Sequence, residues 1–144
     1  MKKSPLENFG MQLAETARTW RNKLDQRLKP LGLSQAKWVV LVHMSRAGDT
    51  LTQKELAQLI GIEGPTLVGL LDRLGTDGLV ERRESVTDRR SKTVHLTAAG
   101  SAVMQQISEV ARDLRGELFK GIEPAELLQC LQTLELLKQR LDLL

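Results

Sequence analysis

Residues 52–96 hold two short apolar-faced segments about three residues apart, followed at once by a charged hairpin, and few folds accept that order. Thr52-Gln53-Lys54-Glu55 has capping-box spacing, in which the Thr hydroxyl and the Glu carboxylate each satisfy a backbone N–H left free at a helix start. Leu56, Leu59 and Ile60 then supply one apolar face. Gly61 can take a positive φ and end that helix, and Pro65 suits the first turn of the next one, where its missing N–H is not needed. In the second segment Leu67, Leu70, Leu71 and Leu74 recur at i, i+3, i+4 and i+7 and must face a core. Thr66, Gly69 and Arg73 are left on or near the outward side. Two helices joined this tightly form a helix-turn-helix, and an outward face of mostly small side chains can enter a major groove.

The hairpin is a second device. Gly78 is placed to end the helix, Leu79-Val80 begins an extended run, and Thr93-Val94-His95-Leu96 has the alternation of a returning strand. Residues 82–92 contain five basic and two acidic side chains, a net of +3, which equals the formal net charge of the whole chain. The remainder is therefore neutral in sum, and a sequence pI near 9.2 reflects a local basic patch instead of a basic coat. An isolated Asp-Arg-Arg reads as a solvated loop. Directly after a helix-turn-helix it reads as a wing, whose tip lies along phosphates or puts a guanidinium into the minor groove.

The flanks are helical. Phe9, Leu13, Ala17, Trp20, Leu24 and Leu28 fall at helical spacing up to Pro30; Ser34 can cap a helix holding Trp38, Val39, Leu41, Val42 and Met44 that stops around Gly48-Asp49. Thr97 can cap a long helix closed by Gly121, and Pro124 opens a last one. There Cys130, Leu134, Leu137, Leu141 and Leu144 form a narrow seam that Leu127, Leu128, Leu131 and Leu136 widen. So much leucine needs a partner on more than one side. Either the first helix of the same chain covers it, or a second copy shares a bundle, and two-fold pairing is favoured because one helix-turn-helix covers too few bases.

These features resemble the MarR family of bacterial transcription regulators. The likeness runs from Leu31-Gly32-Leu33-Ser34-Gln35-Ala36-Lys37-Trp38 through Gln53-Lys54-Glu55-Leu56-Ala57 and Ile60-Gly61-Ile62-Glu63-Gly64-Pro65-Thr66-Leu67-Val68 to Gly78-Leu79-Val80, Asp88-Arg89-Arg90 and Leu96-Thr97. Trp20-Arg21, Arg27-Leu28-Lys29-Pro30-Leu31 and the Ile62-Glu63-x-Pro65-Thr66-Leu67-Val68 run make it most similar to the SlyA branch. The resemblance implies a mainly α (α+β) chain: a winged helix-turn-helix at 34–96, with the helix pair at about 52–77 and the wing at about 79–96, and a dimerisation region from 1–33 and 97–144. It implies a homodimer on pseudo-palindromic double-stranded DNA, with affinity often modulated by small aromatic carboxylates.

Roles follow residue by residue. Glu63, Gly64, Pro65, Thr66, Val68, Gly69 and Arg73 form the expected DNA-facing set of a recognition helix running from about Gly64 to Asp77. Helix-start N–H groups and the Thr66 hydroxyl would meet phosphate or base; Glu63 would accept from a cytosine amino group or merely cap the helix. Arg73, two turns in, is expected on phosphate. Branch relatives carry an arginine where this chain has Gly69, a glycine that costs roughly 1 kcal/mol of helix propensity relative to Ala, so either a close approach offsets the cost or the site has drifted. In the wing, Asp88, Arg89, Arg90 and Lys92 are the contact set, with Arg90 assigned to the minor groove and Arg89 to a bridge onto Asp72. Family likeness gives each arginine one of these jobs without fixing which. Phe9, Leu13, Leu127, Leu131, Leu134, Leu137 and Leu141 are the dimerisation candidates. Arg18, Arg21, Trp38 and His43 are candidates for a pocket that takes an aromatic acid, or else the tryptophan is core and the arginines solvated.

Other classes fare worse. Two histidines, one cysteine and no tyrosine, with no Gly-rich phosphate loop and no ligand cluster at metal spacing, leave no visible catalytic constellation, metal site or cofactor. A single cysteine suits a reducing compartment, and Cys130 on its apolar seam reads as packing. No run of about 18 uncharged apolar residues occurs and Met1-Lys2-Lys3 leads into an amphipathic pattern, so a cytoplasmic, nucleoid-associated protein is expected. A winged helix that binds protein instead of DNA is the alternative reading.

Overall fold

The structure, a computed structural model, describes residues 4–48, 51–88 and 90–144; Asp49 and Arg89, singled out above, lie outside them. Six helices and one hairpin follow in the order α1 (Pro5–Leu28), α2 (Gln35–Ala47), α3 (Gln53–Ile60), α4 (Gly64–Thr76), β1 (Val80–Glu84), β2 (Lys92–Leu96), α5 (Ala98–Leu118) and α6 (Pro124–Asp142). Contacts divide the chain into two units, residues 1–111 and 112–144. Helix α5 crosses that division.

The first unit is built by its caps. Ser4 accepts from the Glu7 N–H at 3.2 Å while the Glu7 carboxylate accepts from the Ser4 N–H at 3.1 Å, so the full capping box of this chain starts α1. At α3 only half of the expected box forms. Thr52 Oγ1 accepts from the Glu55 N–H at 3.1 Å, but the Glu55 carboxylate takes the Thr52 hydroxyl at 3.0 Å instead of the Thr52 N–H. Ser34 caps α2 through the Lys37 N–H, and Gly61, at φ +81, ends α3. Pro30 does not stop α1 outright: Lys29–Leu31 continue as one 3-10 turn before Gly32 turns the chain at φ +70.

The core of this unit is leucine-dominated. Leu41, Leu56, Leu67, Leu71 and Leu74 are fully buried, and Trp38 lies among the buried residues with its indole N–H donating to Asp25 Oδ1 at 2.8 Å. Such a bond removes the penalty of enclosing a polar N–H. Strands β1 and β2 pair antiparallel with Val80 opposite Leu96 and Glu84 opposite Lys92. On the other side of β2, Thr52 and Thr93 form a one-residue bridge, and the Val94 N–H donates to the Leu51 carbonyl at 3.1 Å. The hairpin is thus stitched to the entry of α3.

Helix α5 starts against the base of the hairpin. Thr97 Oγ1 donates to the Gly78 carbonyl at 2.6 Å and accepts from the Gly100 N–H at 3.0 Å. Gly100 is required there, because a Cβ would stand 2.0 Å from the Leu79 carbonyl oxygen.

In the second unit, Gly121 at φ +82 precedes α6, which has Pro124 in its first turn. No α6 residue is buried; Leu127, Leu134 and Leu137 are half-buried, Leu131 and Leu141 exposed. Cys130, expected to pack, is exposed. No helix among the described residues is long and apolar enough to cross a membrane.

Candidate nucleic-acid interface

Helix α4 buries Leu67, Leu70, Leu71 and Leu74 against α2, α3 and β1, and that fixes which side faces out. Glu63, Gly64, Pro65, Thr66, Val68, Asp72 and Arg73 are exposed, and Gly69 is half-buried. The helix ends one residue earlier than expected, with Asp77 as its C-cap and Gly78 at φ +77. Glu63 holds the N-cap position, but its side chain makes no capping bond, so its carboxylate remains available at the leading end. Pro65 leaves the first turn one donor fewer while the others point outward.

The wing is coupled to this helix by charge. Asp72, midway along α4, pairs with Arg82 on β1. Alternation along the strand explains it: Val80 is buried and Arg82 half-buried on one face, while Glu81 and Arg83 point away and pair with each other. Arg89, the arginine assigned to Asp72 from the sequence, lies outside the described residues, and the partner seen is Arg82. The period-2 pattern from Val80 onward was the signal for it. At the other end of α4, Lys37 on α2 pairs with Asp77 at 2.8 Å. Forty positions apart, the two residues carry no local sequence signal of that pair.

At the wing tip Asp88 organises the turn. Its carboxylate accepts from the Arg90 N–H at 2.9 Å and from the Ser91 hydroxyl at 3.4 Å, and the Ser91 N–H donates to the Asp88 carbonyl at 3.1 Å. With its oxygens so engaged, Asp88 positions Arg90, which is exposed, as is Lys92 on β2. Thr93 Oγ1 bonds the Arg83 carbonyl at 3.3 Å and His95 Nε2 at 2.8 Å, bracing the hairpin beneath the tip.

The close approach considered for Gly69 does not involve a neighbouring helix. Among the described residues, and apart from the adjoining residues and the backbone of α4 itself, only Arg73 Nη2 comes within 4 Å of a Cβ built there, at 3.5 Å. The pocket candidates separate as well. Arg18 and Arg21 are exposed on α1 and Trp38 is enclosed. His43 is half-buried with its pKa lowered by loss of solvent and then by Arg46. None of the four lines the open cavity of about 500 Å³ where α3 meets the start of α4. That cavity is walled by residues that include Ala57, Gly61, Ile62, Glu63 and Val68, and by Gln53, whose Oε1 is buried without a hydrogen-bond partner among the described residues. Sequence gave no sign of it, because it arises from the angle between two helices. No group of three potential metal ligands occurs among the described residues.

Comparison with known proteins agrees with this geometry. The MarR family profile matches residues 31–91. The solved structure of transcriptional regulator PA3341 is 45% identical, covers 93% of this chain and 98% of its own, and superposes with a TM-score of 0.87. A MarR family transcriptional regulator from Silicibacter pomeroyi is 34% identical over 92% of this chain and 89% of its own, with a TM-score of 0.79. CouR from Rhodococcus jostii RHA1, solved bound to p-coumaroyl-CoA, is 25% identical over 93% and 94%, with a TM-score of 0.80. A mainly helical chain with a winged helix-turn-helix, an acid-anchored wing and this degree of identity belongs to the MarR family of transcriptional regulators, which are not enzymes.

Proposed function

We propose that the chain is a sequence-specific DNA-binding regulator that works as a homodimer on pseudo-palindromic operators, in the manner of the SlyA branch. One observation carries the reading: the exposed leading half of α4 and the basic hairpin are tied into one surface by Arg82 and Asp72. Helix N–H groups, Thr66 and Glu63 face bases or phosphates from the major groove; Arg90 and Lys92 meet phosphate or the minor groove from the wing. Arg89 belongs to the same basic run.

Homodimerisation is part of the proposal. Phe9 and Leu13 on α1 are 45% exposed, and the α6 leucines are half-buried or exposed, which leaves apolar surface that a second copy would cover. The partners are therefore double-stranded DNA and a second copy of this chain. An aromatic carboxylate is the proposed effector class, supported for its aromatic part by the p-coumaroyl-CoA bound to CouR and for its anionic part by the exposed Arg18 and Arg21. Trp38, being enclosed, does not offer a ring face to it.

Selection from a random duplex library with the purified chain tests the reading. Two inverted half-sites, their centres about one helical turn apart, are expected. Recovery of no enriched motif would refute sequence-specific binding.

A further inference from the structure

We infer that Arg73 reads a guanine in each half-site through a notch that Gly69 opens in α4; the inference rests on the DNA-binding reading above and names its specificity determinant. Three observations meet at this arginine. The first is position: Arg73 Nη2 lies 3.5 Å from where a Gly69 Cβ would be, so the guanidinium has folded back one helical turn and rests where a long side chain at 69 would otherwise stand. Helical side chains lean toward the N-terminus and cover the preceding turn; a methyl at 69 would meet this guanidinium at ordinary van der Waals distance, whereas a longer side chain would compete for its space.

The second is charge. Two carboxylates near Arg73 are already taken, Asp72 by Arg82 and Asp77 by Lys37. Among the described residues the Arg73 guanidinium has no ion pair and donates no side-chain hydrogen bond, so its planar fork of donors is available to a ligand. An exposed arginine between two acidic residues that both bind other cations is held ready for something outside the chain.

The third is level. Folding back brings the charged head about 5.4 Å, one turn, closer to the leading end of the helix, where recognition helices meet base edges. Thr66 lies one turn before Gly69 on the same side of the helix and is exposed. A residue two turns in would ordinarily splay sideways to phosphate. Held against the helix surface over Gly69, the fork points into the groove, where guanine O6 and N7 form the acceptor pair that matches it.

The test uses the full chain and the tightest duplex recovered from a random pool by the wild type, together with every single base-pair substitution of it. Arg73→Lys keeps the charge and loses the fork. It should lower the preference for guanine at one position per half-site by about 10-fold, a larger loss than at any other position of the duplex. Gly69→Leu fills the notch and displaces the guanidinium, and should erase preference at that same position. Equal weakening on every duplex, with base preference intact in Arg73→Lys and Arg73→Ala, would make Arg73 a phosphate contact and overturn the inference while leaving DNA binding in place. Unaltered preference in Gly69→Leu would overturn the notch. Absence of any duplex binding by the wild type would remove the underlying reading and this inference with it.

Discussion

Helix α4 carries Leu67, Leu70, Leu71 and Leu74 and buries all four, whereas α6 carries Leu127, Leu128, Leu131, Leu134, Leu136, Leu137 and Leu141 and buries none. Both sequences announce an amphipathic helix equally well. What differs is the surroundings. The α4 stripe is narrow and meets α2, α3 and β1, and the remaining faces are free for polar work. On α6 Leu127, Leu134 and Leu137 are half-buried, and Leu128, Leu131, Leu136 and Leu141 are exposed. Leucine spacing therefore identifies a face that must be hidden; it does not identify what hides it.

Single truncations put the largest strain on this comparison. Leu71→Ala, at a fully buried site, should lower the unfolding free energy by about 2–5 kcal/mol in urea titration. Leu131→Ala, at a site 54% exposed, should change it by no more than about 0.5 kcal/mol when measured at high dilution. An equal loss at both sites would mean that the chain itself covers α6.

Two glycines of α5 sharpen the same contrast. Gly100→Ala drives a methyl into the Leu79 carbonyl and should cost about 1–3 kcal/mol, read as a lowered denaturation midpoint. A Cβ at Gly116 meets nothing within 4 Å, so Gly116→Ala should stabilise by up to about 1 kcal/mol through helix propensity. Matching signs at the two positions would contradict the tight packing at the base of the wing.

The smallest effect concerns pH. Burial and Arg46 lower the His43 pKa, so the unfolded chain takes up a proton before the folded one does. Stability is then full above about pH 6.5, the ordinary imidazole value, and declines as pH falls toward the folded pKa. Thermal midpoints recorded across that interval should slope downward with acid, and His43→Gln should flatten the slope. An identical slope in the variant would clear His43 of any part in it.

The helix-turn-helix was legible because it rests on local signals. Thr52 and Ser34 cap through their hydroxyls, Gly61 and Gly78 take positive φ, and the four leucines of α4 face inward, all as their spacing implies. Features made by long-range contact were not. The Arg82 partner of Asp72, the Lys37–Asp77 pair, the bridge from Thr52 to Thr93 and the intolerance of Gly100 join residues 10 to 41 positions apart or depend on a backbone approach. Family likeness leaves the bridge to Asp72 open between Arg89 and Arg90, and Arg89 lies outside the described residues; the partner seen, Arg82, shares its face of β1 with Val80. The apolar seam of α6 implies packing for Cys130, yet its side chain is exposed.

Fluorescence anisotropy with a random-sequence duplex, titrated across salt concentrations, tests most directly that the coupled α4 and wing surface serves DNA. Measurable binding in dilute buffer is expected, with a steep fall of log affinity with log salt and a slope reduced by about one when Arg90 is changed to Ala. A wild-type chain that binds no duplex in dilute buffer would contradict it.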